Sequence, residues 1–179
     1  VLVSGDARLG AAEPGAESAA ERAAERAALV SRYVAGCDAF AAAVADATAA
    51  GRLDDARAGG WSARTVVHHL ADAEMTSAIR LRRLLAEDAP AIAAYDEESF
   101  ARALHYDRPV EAALRVIEAA RATSVELLGL LTEADWARSG THTEDGAYGV
   151  ERWLRIYAAH PYDHAAQVRR AAGIEVPMA

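Results

Sequence analysis

Four long stretches of this chain place apolar residues three and four positions apart, and that spacing commits the chain to packed helices. In the first, running from about Glu17, Val30, Tyr33, Val34, Cys37, Phe40, Ala41 and Val44 form one stripe. Gly51 and the glycines at 59 and 60 punctuate a loop, after which Ser62 suits the N-cap of a second helix reaching about Glu87, ahead of Pro90. Its buried stripe is expected at Val66, Leu70, Ala73, Ser77 and Leu84. Asp96-Glu97-Glu98 reads as the acidic first turn of a short helix over 97–105. Pro109 opens a third long helix carrying Val110, Ala113, Leu114, Ile117, Leu128 and Leu131. Residues 137–149 read as a loop, and a fourth helix runs from Val150 to Ala172, closed by Gly173. No β-alternation competes and no repeat is visible. The expected fold is all-α, a four-helix bundle over 17–176 with one short extra helix and a flexible segment at 1–16.

Composition narrows the function. The chain has 179 residues, enough for one domain with a core, and although 53% are apolar, much of that is alanine. A net charge of −8 argues against nucleic acid, because phosphate binding needs clustered excess Lys and Arg. Cys37 is the one cysteine, so no internal disulfide forms; it falls on the stripe and reads as a small core residue, which suits a reducing cytoplasm. The N-terminal stretch lacks the basic-then-apolar order of a secretory signal, and no run of about 18 apolar residues suggests a membrane span. A small-molecule partner is the simpler expectation.

The histidines carry the chemistry. In "TVVHHLAD" (65–72), His68 lies roughly 160–200° from the buried stripe and is expected to face solvent. His69 lies about 60° from Val66, on the stripe's edge, with Thr76 and Arg80 further along that edge. In the fourth helix Trp153, Tyr157, His160, His164 and Gln167 share one face, and His160 and His164 stand one turn apart. Read alone, His69 is a hydrogen-bonded histidine at the core edge, and an isolated H-x-x-x-H is a common chance pattern. If His69, His160 and His164 converge, three neutral imidazoles leave a metal at least one open position, the arrangement of a catalytic zinc site. Nickel, iron or cobalt also accept imidazole. The open position suits either a water, its pKa lowered to about 7, or a small thiol held as thiolate.

The segments "GGWSARTVVHHLADAEMTSAIRLRRLLAED", "PAIAAYDEESFA", "LLTEADWARSGTH" and "YAAHPYDHAAQV" resemble, in order and approximate spacing, those of the DinB superfamily and its YfiT-like metal-dependent hydrolases and thiol S-transferases. The likeness covers about 59–168. It implies an antiparallel bundle, often dimeric, with zinc or nickel bound by His69, His160 and His164. It also implies a low-molecular-weight thiol as co-substrate: bacillithiol, mycothiol or glutathione. The chain contains neither Lys nor Asn, a bias of GC-rich coding, which inclines the choice toward mycothiol. Two departures stand out. Pro161 directly follows His160 and is expected to kink the helix or begin a new segment. Gln167 stands where many relatives carry another histidine, behind the ligands.

The preferred expectation is therefore a metal-dependent thiol S-transferase of the mycothiol type, with the metal-held thiolate as nucleophile and no protein base. Arg80 is a candidate to receive a carboxylate of the thiol, against its reading as an ordinary solvated or ion-paired arginine. Thr76, Trp153 and Tyr157 are further substrate candidates on the two histidine faces. Tyr95 and Asp96 either orient a ligand or substrate, or serve as a packed ring and an N-cap. His142 and Glu144 lie on a loop that either covers the site or is ordinary. A hydrolase is the alternative; it needs a base, and Asp72, Asp96 and Asp163 are the carboxylates placed nearby, Asp163 poorly. A non-catalytic metal-binding stress protein is the third reading. Expected partners are a small thiol and an electrophile, neither nucleic acid nor membrane, and a second copy in a homodimer.

Overall fold

In the computed structural model, which describes residues 18–57 and 60–175, each long helix begins where the sequence offers a hydroxyl, a turn or a proline. Ser18 caps α1 (Ala19–Ala49): its hydroxyl accepts the Glu21 N–H at 3.2 Å while the Glu21 carboxylate accepts the Ser18 N–H at 2.7 Å. Ser62 caps α2 (Ala63–Ala86), accepting the Thr65 N–H at 3.1 Å. After β1 (Ala91–Ile92), Asp96 caps the short α3 (Glu97–Ala103). Then come α4 (Glu111–Leu128) and one helical turn, α5 (Glu133–Trp136), which the sequence reading did not anticipate. α6 (Val150–Ala171) closes the bundle, with Gly173 in the left-handed region at φ 64°. Of the flexible N-terminal segment expected at 1–16, all lies outside the described residues.

α1, α2, α4 and α6 form the antiparallel four-helix bundle. α1 and α2, although consecutive, sit diagonally, and each packs against both α4 and α6. The buried face of α1 is Tyr33, Gly36, Phe40, Ala43, Val44 and Ala47; Val34 is 50% exposed and Ala41 also faces out, against expectation. The contact line runs through Tyr33, Gly36, Phe40, Ala43 and Ala47, a face of the helix that leaves Val34 and Ala41 outside. By length and composition α1 is apolar enough to cross a membrane, contrary to the sequence expectation. Its apolarity comes largely from alanine, and its Tyr33–Phe40–Val44 face lies in the core.

The loop expected at 137–149 is instead a hairpin. β2 (Ser139–His142) pairs antiparallel with β3 (Gly146–Gly149) and parallel with β1, giving the order β1-β2-β3. Thr143, Glu144 and Asp145 make the turn, and Gly146, at φ 73°, takes the left-handed position that ends such a turn. Strands this short carry too little alternation to register as a pattern: in β3 Tyr148 alone is buried.

Pro161 neither breaks nor restarts α6, which runs through it, and the reason lies in a polar layer at mid-bundle. The layer separates an apolar cluster around Phe40, Leu70, Ile117 and Val168 from another around Tyr33, Leu81, Leu128 and Trp153. Proline leaves the carbonyl of Tyr157, four residues earlier, without its helical N–H. The buried Arg121 supplies the missing donor: its Nη2 donates to the Tyr157 carbonyl at 3.1 Å and to the Tyr33 carbonyl at 2.5 Å. Its Nη1 donates to Glu74 Oε1 at 2.5 Å, and its guanidinium lies over the Tyr33 ring at 3.6 Å. Gly36 makes room for the proline ring; a Cβ there would stand 2.9 Å from Pro161 Cγ. Thus all four long helices contribute to this layer, and His160 keeps its helical position.

Candidate metal centre

The edge of α2 that carries His69 faces α6 at the level of His160 and His164. Each of the three imidazoles offers a ring nitrogen, and these lie within 4.8 Å of one another. Ring centroids are 4.8 Å apart for His69 and His164, 6.0 Å for His69 and His160, and 4.4 Å for the α6 pair. His164 Nε2 and His160 Nε2 meet at 3.0 Å, and on the other side of the His164 ring Nδ1 donates to Gln167 Oε1 at 2.7 Å. That bond holds the proton on Nδ1 and turns the bare Nε2 toward the cluster, as a partner behind a metal ligand does. Trp61 packs against His69 with ring centroids 4.9 Å apart and planes inclined by 59°, its indole N–H on Glu98 Oε1.

Burial keeps these rings neutral. Desolvation, with the charge of His164 adding to it, lowers the pKa of His69 to about 4. Desolvation, then His164, His69 and Arg121, lowers that of His160 to about 3, and desolvation lowers His164 as well. Neutral imidazoles are metal donors. The packing also leaves His69 Nδ1 and His160 Nδ1 buried with no hydrogen-bond partner. A donor set of three close, neutral imidazoles fits a divalent cation.

The same shifts predict a pH dependence. Folded-state values sit below the ordinary imidazole pKa near 6.5, so between about pH 4 and 6.5 the unfolded chain binds more protons than the folded one. Stability of the metal-free protein is then complete above about pH 6.5 and falls as pH drops through that window, by on the order of 3 kcal/mol for the coupled cluster. Urea midpoints at steps from pH 7 to 4 should show this loss, shallower in His160→Gln; equal slopes would contradict it.

Beside the cluster opens a recess of about 210 Å³ reaching from His160 to the hairpin turn. Arg80, Tyr95, Tyr148 and Tyr157 line it, with His142, Glu97, Glu144 and Asp145 around them. Arg80 Nη1 donates to the Tyr157 hydroxyl at 3.0 Å and Nη2 to the Ala93 carbonyl at 2.6 Å. Glu97 Oε2 stands 4.0 Å from His69 Nε2, and partial burial raises the Glu97 pKa, with Glu98 adding to it. A larger cavity, about 840 Å³ between α1 and α4, is walled by Cys37, Phe40, Val44 and Ile117 and lies apart from the histidines. Burial pushes the Cys37 thiol up, which leaves it unreactive.

Several expected residues are elsewhere. His68 does not face solvent: it is 1% exposed, because the segment after α3 folds over the outer face of α2. Its Nε2 meets the Arg108 carbonyl at 3.0 Å, and Tyr106 stacks on its ring while donating to Asp72. Asp72 is thereby committed away from the cluster. Asp96 is the α3 cap, its carboxylate on the Ser99 N–H and hydroxyl, and Asp163 is exposed. Trp153 belongs to the core, its indole N–H on the Ser77 carbonyl, and Thr76 borders a shallow outer groove with Met75 and Ile79. Tyr95 packs against Phe100 at 4.6 Å while also lining the recess. The sequence offers Glu97 only as part of a helix's acidic first turn, and Tyr148 not at all. Glu97 adjoined two residues that were considered, whereas Tyr148 sat in what looked like a loop.

An antiparallel bundle with a three-histidine cluster between two of its helices defines a class of metal-centre proteins. The chain belongs to the DinB superfamily, whose model matches residues 32–168. It is 38% identical over 112 residues to a "Putative metal-dependent hydrolase" of Oceanobacillus iheyensis, covering 63% of this chain and 65% of the relative. A protein of the same description from Bacillus mycoides is 34% identical over 112 residues, with the same coverage of both chains. These matches span a little under two thirds of the relatives' own length. Among solved structures, YfiT from Bacillus subtilis, described as "a probable metal-dependent hydrolase with an unusual four-helix bundle topology", superposes with a TM-score of 0.76 at 26% identity. That match covers 93% of this chain and 97% of YfiT.

Proposed function

We propose that this chain is a metal-dependent hydrolase acting at His69, His160 and His164, with Glu97 as the base. The observation that carries the reading is the convergence of three neutral imidazoles with a carboxylate 4.0 Å from one of them, at the mouth of a recess. When bound, a divalent cation, zinc first among those that suit imidazole, supplies Lewis acidity at the corner the histidines leave open. Glu97 Oε2 takes the proton released as water attacks the acyl carbon, and returns it to the departing group as that bond breaks. Gln167 holds His164 in the tautomer that presents Nε2. The relatives' description as metal-dependent hydrolases supports the same reading.

The hydrolase needs a base beside the cluster, and Glu97 is better placed for that than Asp72, Asp96 or Asp163. One experiment separates the readings. Protein made without a histidine tag is stripped of metal, reloaded with zinc and offered 4-nitrophenyl acetate. In parallel it receives mycothiol, bacillithiol or glutathione with monobromobimane. Zinc-dependent ester hydrolysis is expected, and Glu97→Gln should lower kcat/KM roughly 10²-fold or more while keeping its metal. Zinc-dependent thiol conjugation without hydrolysis would instead establish the transferase, and neither activity would leave a binding protein.

A further inference from the structure

Arg80 is an unusual arginine for its position. It is half-buried at the recess, yet its recorded acceptors, the Tyr157 hydroxyl and the Ala93 carbonyl, are both neutral, and among the described residues it has no ion pair. Its Nε is buried without a partner. An arginine withdrawn from water and left without an anion is costly, and such a charge is ordinarily paired. Beside it Tyr148, 2% exposed and also lining the recess, buries a hydroxyl that lies next to Arg80 and the Tyr157 hydroxyl without reaching hydrogen-bond geometry with either. Tyr157, 5% exposed, offers its hydroxyl from the next position on the wall.

We propose that this recess is a subsite for a monocarboxylate group of the substrate, received by Arg80 together with the hydroxyls of Tyr148 and Tyr157. The charge around the recess selects a monoanion. Asp145 is neutralised by Arg152 at 3.3 Å, but Glu97 and Glu144 stand exposed at the mouth. One uncompensated guanidinium behind two carboxylates accepts a single negative charge and repels a dianion such as phosphate. The volume of about 210 Å³ suits a short acid and no larger headgroup. Because His160 closes one end of the recess, the carboxylate would anchor the substrate with its scissile bond at the histidines. That last step rests on the hydrolase reading, whereas the anion site stands on Arg80 and Tyr148.

The test is a binding titration of metal-free protein with carboxyl-¹³C-labelled propionate, followed by NMR, with neutral propionamide and inorganic phosphate as comparisons. Propionate should bind saturably to wild type and equally to His164→Ala, which cannot assemble the metal centre, so failure of the hydrolase reading leaves this result intact. Arg80→Gln should weaken binding roughly tenfold or more, and Tyr148→Phe, which keeps the packed ring, should weaken it severalfold. Arg80→Lys should recover part of the loss. Circular dichroism checks each variant's fold. No saturable propionate binding, binding unchanged in both folded Arg80→Gln and Tyr148→Phe, equal affinity for propionamide, or displacement of propionate by phosphate would each overturn the proposal.

Discussion

His69→Ala and His164→Ala are each expected to lose stoichiometric metal and, with it, all metal-dependent turnover. The cluster is small: its ring nitrogens lie within 4.8 Å, and it draws on two helices, α2 for one imidazole and α6 for two. Removing His69 leaves an i, i+4 pair on one helix; removing His164 leaves two donors without the ring whose tautomer Gln167 sets. Changing only a partner behind a metal ligand typically costs about ten- to a hundredfold in affinity, which is the loss expected for Gln167→Ala; removing a ligand costs more. The thermodynamic signature is as direct as elemental analysis. Zinc in thousandfold excess over its dissociation constant stabilises the folded protein by about 4 kcal/mol, and that increment should vanish in both variants. Metal retained one-to-one by His69→Ala, with an unchanged zinc-induced rise in Tm, would show that the three rings do not share an ion.

The bundle was legible because its signals are long. Ser62 and Gly173 mark helix ends through backbone groups that need partners, and the apolar period repeats over many turns between such ends. The histidines that converge were legible for the same reason: His69 and the α6 pair sit at predictable angles from stripes that the bundle must bury. What was not legible involves short or distant segments. His68 lies on the far side of α2, and helical geometry alone cannot foresee that the segment holding Tyr106 and Arg108 covers it. Pro161 looked like a break because the compensating donor, Arg121, lies on another helix, 36 residues from the Tyr157 carbonyl it serves. The hairpin that brings His142 and Tyr148 to the recess is too short to show a period. Glu97 reaches His69 through the placement of α3, a matter of loop geometry between Pro90 and Asp96.

Arg121→Met should be among the most damaging substitutions in the molecule, at about 3–5 kcal/mol in urea unfolding. The loss arises less from the ion pair than from what remains after it. Glu74 is 1% exposed with Oε2 already lacking a partner, and burial pushes its carboxyl upward against the pull of the guanidinium. Without Arg121 that carboxylate must protonate or draw water into the core, and the Tyr157 carbonyl is orphaned beside Pro161. Two second variants separate these contributions. Glu74→Leu combined with Arg121→Met should recover most of the stability, since an apolar pair replaces a buried ionic one at little cost. In a Pro161→Ala background the new N–H takes over the Tyr157 carbonyl, so Arg121→Met should cost about 1 kcal/mol less than it does in wild type. Strict additivity of Pro161→Ala and Arg121→Met would mean that the arginine does not compensate the proline. His160 lies between Tyr157 and Pro161, so this layer also fixes one imidazole of the cluster. Arg121→Met that still folds should therefore bind zinc more weakly than wild type, and adding Pro161→Ala, which gives the Tyr157 carbonyl a new donor, should recover part of that loss.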